Sequence, residues 1–150
     1  MIKYTDDFDF TSSINSNNPI NRRTGISGEA YIYELLKKSG KFKKVKWNML
    51  SKTGNGENFE YKGKNYKINL DNSHYDILVK TYDDCKIYIE VKSTKHKFED
   101  KNKIPFFISH KQIEIMEKTE YPNEYILAIV FDVMSNPNHF FMTLRKNILI

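Results

Sequence analysis

The chain has 150 residues, enough for one domain with a real core, and 39% hydrophobic with 14% aromatic residues make it globular rather than disordered. Its single cysteine, Cys85, excludes an intramolecular disulfide and a cysteine metal cluster; the absence of a long apolar run or a signal-peptide pattern predicts a cytoplasmic protein with no membrane partner. The net charge of +5 suits a polyanionic partner, although lysine far outnumbers arginine, and Asn, Ile and Tyr are frequent, as AT-rich coding alone would produce.

Residues 1–24 are polar and Asn/Ser-rich and are expected to form an irregular arm or a short extra element ahead of one domain over 25–150. A helix is predicted from about Gly28 to Ser39, with Ser27 as its N-cap, an apolar stripe of Ile32, Leu35 and Leu36, and Ser39-Gly40 as its stop. A strand follows, in which Val45, Trp47 and Met49 alternate with Lys44, Lys46 and Asn48, and then a loop over 51–57. Phe59–Leu70 reads as an inserted hairpin turning about Lys62-Gly63-Lys64-Asn65. Tyr75–Val79 and Ile87–Lys92 form two strands joined by the short polar segment Tyr82–Cys85. Lys95–Pro105 reads as a basic loop. Ser109 with Gln112 makes a capping-box pattern for a second helix that Tyr121-Pro122 ends. Tyr125–Phe131, almost wholly apolar and rich in β-formers, is expected to be a central strand covered on both faces. Ser135–Asn138 turns the chain into a last strand from His139 to about Leu144. The result is an α/β fold: a mixed β-sheet flanked by helices, with an α-β-β-β-α-β core and one added strand.

The chemistry concentrates in the paired strands. Residues two apart share a strand face, so Glu90 and Lys92 stand with Tyr88, and Ile87, Ile89 and Val91 make an opposite, wholly apolar face. If the intervening loop is centred on Asp83, Asp76 lies directly across from Glu90, with Cβ atoms roughly 4.5–5.5 Å apart, close enough for two carboxylates to share one ion. A slip of one residue would send Asp76 to the other face. Glu29 lies three residues before Ile32 and seven before Leu36, on the core-facing side of the first helix. Each feature has a plainer reading: an exposed charged strand face for Glu90-Val91-Lys92, and an acid favouring the helix dipole for Glu29. Their combination favours a metal and phosphate site. His74 falls on the Asp76 side of its strand, whereas His96, His110 and His139 read as surface residues. Two basic stretches, Lys37–Lys46 and Lys92–Lys103, read as solvated faces or polyanion contacts.

Gly25-Ile26-Ser27-Gly28-Glu29, His74-Tyr75-Asp76-Ile77, Tyr88–Thr94 and Pro105–Ser109, in this order, resemble the PD-(D/E)XK nuclease superfamily, with a restriction-endonuclease-like core. More narrowly they resemble the domain related to the C-terminal region of the plant protein NO VEIN, found beside bacterial restriction and defence genes. The likeness covers roughly residues 25–133; Tyr75 stands where the superfamily expects proline. It implies a Mg²⁺-dependent endodeoxyribonuclease, with Mn²⁺ able to substitute, whose catalytic residues are Glu29, Asp76, Glu90 and Lys92. Asp76, Glu90 and the Val91 carbonyl would hold the metal, with Glu29 bound directly or through water. Lys111, Gln112 and Lys95 would contact substrate; capping and solvation explain the first two equally well. DNA is the implied partner, with a homodimer or partner subunits of a defence system as further expectations. A structure-specific nuclease of junction-resolvase type and a non-catalytic nucleic-acid-binding module are the alternatives.

Overall fold

The structure, a computed structural model, describes residues 19–98, 109–120 and 122–143. Among these residues, two helices and seven strands follow one another as α1 (Pro19–Ser39), β1 (Lys44–Trp47), β2 (Glu57–Tyr61), β3 (Lys64–Ile68), β4 (Ile77–Lys80), β5 (Lys86–Ser93), α2 (His110–Lys118), β6 (Glu124–Phe131) and β7 (Asn138–Thr143). Five strands form one sheet in the order β1-β4-β5-β6-β7, and β2-β3 form a separate ribbon. Among the described strands β5 and β6 pair in parallel, and β1–β4, β2–β3, β4–β5 and β6–β7 are antiparallel. The sheet is therefore mixed, and the fold is α/β as expected.

Each face of the sheet carries its own apolar layer. On one, Ile26, Ala30 and Leu36 of α1 pack on Trp47, Ile77, Val79, Ile89, Val91, Ala128 and Val130. On the other, Tyr125, Leu127, Ile129 and Phe131 pack with Ile115 and Met116 of α2 and with Tyr75 and Tyr88. Strand β6 thus has one apolar set on each face, which is the double burial its sequence predicts. The α1 layer also takes in the ribbon, where Tyr66 meets Trp47 edge to face at 5.3 Å.

Helix α1 begins nine residues earlier than the pattern of its apolar stripe suggests. Pro19 occupies its first position, where the missing N–H is not needed. Residues 19–24 are therefore helical rather than part of an irregular arm, and Arg22 ties this turn to the ribbon through Glu57 (2.9 Å). The rest of the expected arm, residues 1–18, lies outside the described residues. Ser27 is not an N-cap but a buried mid-helix residue. Gly28 allows α1 to lie directly on β5: a Cβ there would stand 1.6 Å from Ser93 Oγ and 2.8 Å from Ser93 Cβ.

The second helix is shorter than expected. Ser109 caps it through the predicted reciprocal pair with Gln112, but Thr119 is already its C-cap, ahead of Pro122. The inserted hairpin forms with β2 starting at Glu57 and a two-residue turn at Lys62-Gly63. The last strand begins at Asn138; Leu144, Tyr121 and most of the expected basic loop (99–105) lie outside the described residues.

Candidate active site

Strands β4 and β5 pair with Ile77 opposite Ile89. The ladder ends at that pair, one residue short of the expected Asp76–Glu90 pairing. Asp76 sits at the bend just before β4 and is fastened on both sides. Its N–H donates to the Ile89 carbonyl (2.8 Å), and its own carbonyl accepts from Asn48 N–H (2.9 Å). The Asn48 side chain holds the preceding residue by donating to the Tyr75 carbonyl (2.9 Å). The Asp76 carboxylate then accepts the Val91 N–H at Oδ2 (2.8 Å), so it stands over the Glu90-Val91-Lys92 backbone.

Glu90 and Lys92 share the face of β5 opposite Ile89 and Val91, as strand parity requires. Both are 3% exposed, and Lys92 Nζ lies 3.2 Å from Glu90 Oε2. A buried ion pair of this kind gains Coulomb energy only by offsetting a large desolvation cost. Glu29 is fully buried in α1 and accepts from Trp47 Nε1 (2.9 Å). Asp76 feels both acids. Burial first, then Glu29 and Glu90, push its carboxyl well above the ordinary carboxylate range, against the opposing pull of the Val91 N–H and Lys92. Three carboxylates thus face one ammonium, and the site carries a negative excess that a proton or a cation would relieve.

Could the site hold a divalent metal? Mg²⁺ takes hard oxygen ligands, usually one or two carboxylates with several waters. Asp76 and Glu90 supply that donor set, each with a second oxygen beyond the one already engaged by Val91 N–H or Lys92. Among the described residues no group of three or more His, Cys, Asp or Glu side chains is arranged to hold an ion. The residues fit a two-carboxylate, water-rich site rather than an all-protein cage.

The structure thus brings together four of the residues singled out by sequence, Glu29, Asp76, Glu90 and Lys92, with the Val91 peptide among them. The three suggested substrate contacts differ in their surroundings. Lys95 is exposed two residues beyond β5. Lys111 is exposed on α2, with Glu114 at 3.8 Å. Gln112 is buried, its Oε1 accepting from Ser109 N–H (3.1 Å), so the capping role is the one it fills. His74 does lie near the acids, but through its backbone: its carbonyl accepts from the Tyr125 hydroxyl. His139 is half-buried rather than a plain surface residue, with Nδ1 2.8 Å from the Tyr31 hydroxyl.

Two site residues have only faint sequence signals. Tyr125 is the lone hydroxyl in the apolar run Tyr125–Phe131. Its phenol is held protonated by burial and by Glu90 and Asp76, which places it against both carboxylates. Trp47 is the chain's one tryptophan, and a buried indole N–H needs an acceptor, which Glu29 provides.

Beside this cluster a cleft of about 710 Å³ opens between β5 and the end of α2. Tyr75 and Tyr88 line it edge to face, with ring centroids 5.0 Å apart, together with His74, Ile115 and Lys118. Among the described residues no helix is long and apolar enough to cross a membrane.

Residues 28–143 match the family described as Protein NO VEIN, C-terminal, a span that includes every residue of the acid–lysine cluster. No curated protein and no solved structure gives a significant match. The match takes in well over half of the chain, and the chain belongs to this family.

Proposed function

We propose that this member of the NO VEIN C-terminal family is a Mg²⁺-dependent DNA endonuclease of the PD-(D/E)XK type, hydrolysing phosphodiester bonds in restriction or defence. One observation carries the reading: Asp76, pinned to the Val91 N–H at 2.8 Å, stands beside the buried Glu90–Lys92 pair, whose charged atoms are 3.2 Å apart. Carboxylates from two adjoining strands, with a lysine two residues after the second, are what metal-assisted phosphodiester hydrolysis requires. Bound there, Mg²⁺ or Mn²⁺ would offset charge on the scissile phosphate and acidify an attacking water.

The chain's own groups divide the remaining work. Asp76 and Glu90 would hold the ion, with the Val91 carbonyl as an uncharged third donor. Glu29, anchored by the Trp47 indole, would add negative charge behind Asp76 and orient a water. Lys92 would orient the attacking water and offset charge building on the phosphate. Lys111, Gln112 and Lys95 would contact substrate beyond the acid–lysine cluster. A single centre cuts one strand, so a homodimer or a partner subunit would supply the second cut.

Incubation of supercoiled and linear DNA with Mg²⁺, Mn²⁺ or EDTA tests the proposal. Cleavage with either metal, abolished by EDTA and lost in Lys92→Ala, is expected. No cleavage with either metal, or undiminished cleavage by Lys92→Ala, would overturn it. Preference for junction DNA over duplex would redirect the reading to a structure-specific nuclease.

A second reading has its own support. Glu90 and Lys92 are 3% exposed, and a phosphate must reach them. A non-catalytic nucleic-acid-binding module would keep such a pair closed as a structural element. Metal-independent DNA binding without cleavage of any substrate selects that reading.

A further inference from the structure

The sheet face that bears Glu90 and Lys92 also bears a row of lysines. Lys44 of β1 is directly opposite Lys80 of β4, and Lys80 is directly opposite Lys86 of β5. Directly opposed residues point to one face, and Lys86 shares the parity of Tyr88, Glu90 and Lys92. The next row on this face is Lys46, Leu78 and Tyr88. The alternate rows, Val45–Val79–Ile87 and Trp47–Ile77–Ile89, join the layer beneath α1, which fixes the lysines on the opposite side.

Like charges directly opposed across strands destabilise a sheet. Here three stand in register and a fourth lies beside them. Among the described residues none of Lys44, Lys46, Lys80 and Lys86 has a carboxylate within ion-pair distance. Asp84, in the β4–β5 turn, is paired with Lys43 at 3.0 Å and feels Lys80 only from farther away. Such a row is costly in the free protein and favourable when an extended anion lies along it. By strand spacing it spans about 10 Å, against about 3.4 Å of axial rise per nucleotide in one DNA strand. Because the backbone winds about the axis, neighbouring phosphates stand farther apart than this rise, and the row is long enough to meet two of them. From Lys86 to Glu90 the chain advances four residues, roughly 13 Å at strand rise. The Tyr75–Tyr88 cleft lies along that path and offers aromatic surface to a base.

We infer that Lys44, Lys80 and Lys86, with Lys46, form a phosphate-binding track that guides a DNA backbone along the β1-β4-β5 face toward Asp76, Glu90 and Lys92. The inference rests on the reading of DNA as substrate, but its test is independent of cleavage. Binding of a short labelled duplex is followed by fluorescence anisotropy in EDTA over a series of NaCl concentrations. Each lost phosphate contact should flatten the plot of log Kobs against log [NaCl] by about 0.9.

Lys80/Lys86→Gln should therefore show a slope shallower by about 1.8, two such contacts, than the parent. Lys80/Lys86→Arg should keep the parent slope. Lys52/Lys67→Gln removes the same charge from the exposed ribbon region and should change it little. In the absence of DNA, Lys80→Gln should melt at a higher temperature than the parent, with the difference shrinking as salt rises. Equal slopes for the Lys80/Lys86→Gln and Lys52/Lys67→Gln proteins overturn the track, as does lysine-dependent binding to phosphatidylserine vesicles with none to DNA. A protein that binds through the row without ever cutting overturns the nuclease and leaves the track. Cleavage with an unaltered slope in Lys80/Lys86→Gln does the reverse.

Discussion

Gly28→Ala is the substitution whose effect the packing defines most sharply. The added Cβ would stand 1.6 Å from Ser93 Oγ, 2.8 Å from Ser93 Cβ and 3.4 Å from Val91 Cγ1. The Ser93 hydroxyl can rotate away, but its Cβ cannot. Carbon atoms rest about 3.5–4.0 Å apart, so α1 and β5 must separate by several tenths of an ångström or more. Overpacking of this kind costs about 1–3 kcal/mol. Ala in place of a mid-helix Gly returns about 0.5–1 kcal/mol. The net expectation is a loss of up to about 2.5 kcal/mol, at roughly 2–4 °C of melting temperature per kcal/mol for a chain of this size. Urea unfolding of four proteins isolates the contact: parent, Gly28→Ala, Ser93→Gly and the double variant. With Ser93→Gly already present, the clashing atoms are gone, and Gly28→Ala should become stabilising. The same destabilisation in both backgrounds would refute the close-approach account. Because Glu29 follows Gly28, the separation should also weaken its bond to Trp47 and reduce any metal-dependent activity of the single variant.

Two further outcomes follow from the charges at the site. Asp76 keeps its proton in the folded state to a higher pH than in the unfolded chain, where its ordinary value is 3.8. Its contribution to stability is therefore full below that value and is lost as pH rises through the folded pKa. In EDTA, the parent should lose stability relative to Asp76→Asn as pH rises from about 4, and parallel stability curves would contradict this. Lys92→Met leaves Glu90 buried without its cation, which should cost about 3–5 kcal/mol. Lys92→Met/Glu90→Gln should recover much of that loss, and a double variant no more stable than the single in thermal melts would show that the pair is not the cause.

The site's register was legible because it depends on period and loop length alone. Centring the turn on Asp83 pairs Asp76 with Glu90, and the observed Ile77–Ile89 pairing has the same centre. The alternation of Ile87, Ile89 and Val91 with Tyr88, Glu90 and Lys92 likewise fixed the two faces, because one set is wholly apolar. The start of α1 was not legible in this way. Asn21, Arg22 and Arg23 show no stripe, and Ser27-Gly28 resembles a helix boundary. In the fold these small residues serve instead to bring the helix onto Ser93, a contact with a residue far along the chain. The position of the ribbon was hidden for the same reason. Its turn is local, but its packing through Tyr66 onto Trp47 and Glu57 onto Arg22 is not. The lysine row emerges only when two registers are laid side by side, since Lys44, Lys80 and Lys86 have no common spacing in sequence.

Anomalous scattering from crystals soaked in Mn²⁺ tests the metal centre most directly. The account predicts one peak within coordination distance of the Asp76 and Glu90 carboxylates and the Val91 carbonyl, lost in Asp76→Asn. Well-diffracting crystals with no Mn²⁺ peak at these residues, or with a peak that survives Asp76→Asn unchanged, would contradict it.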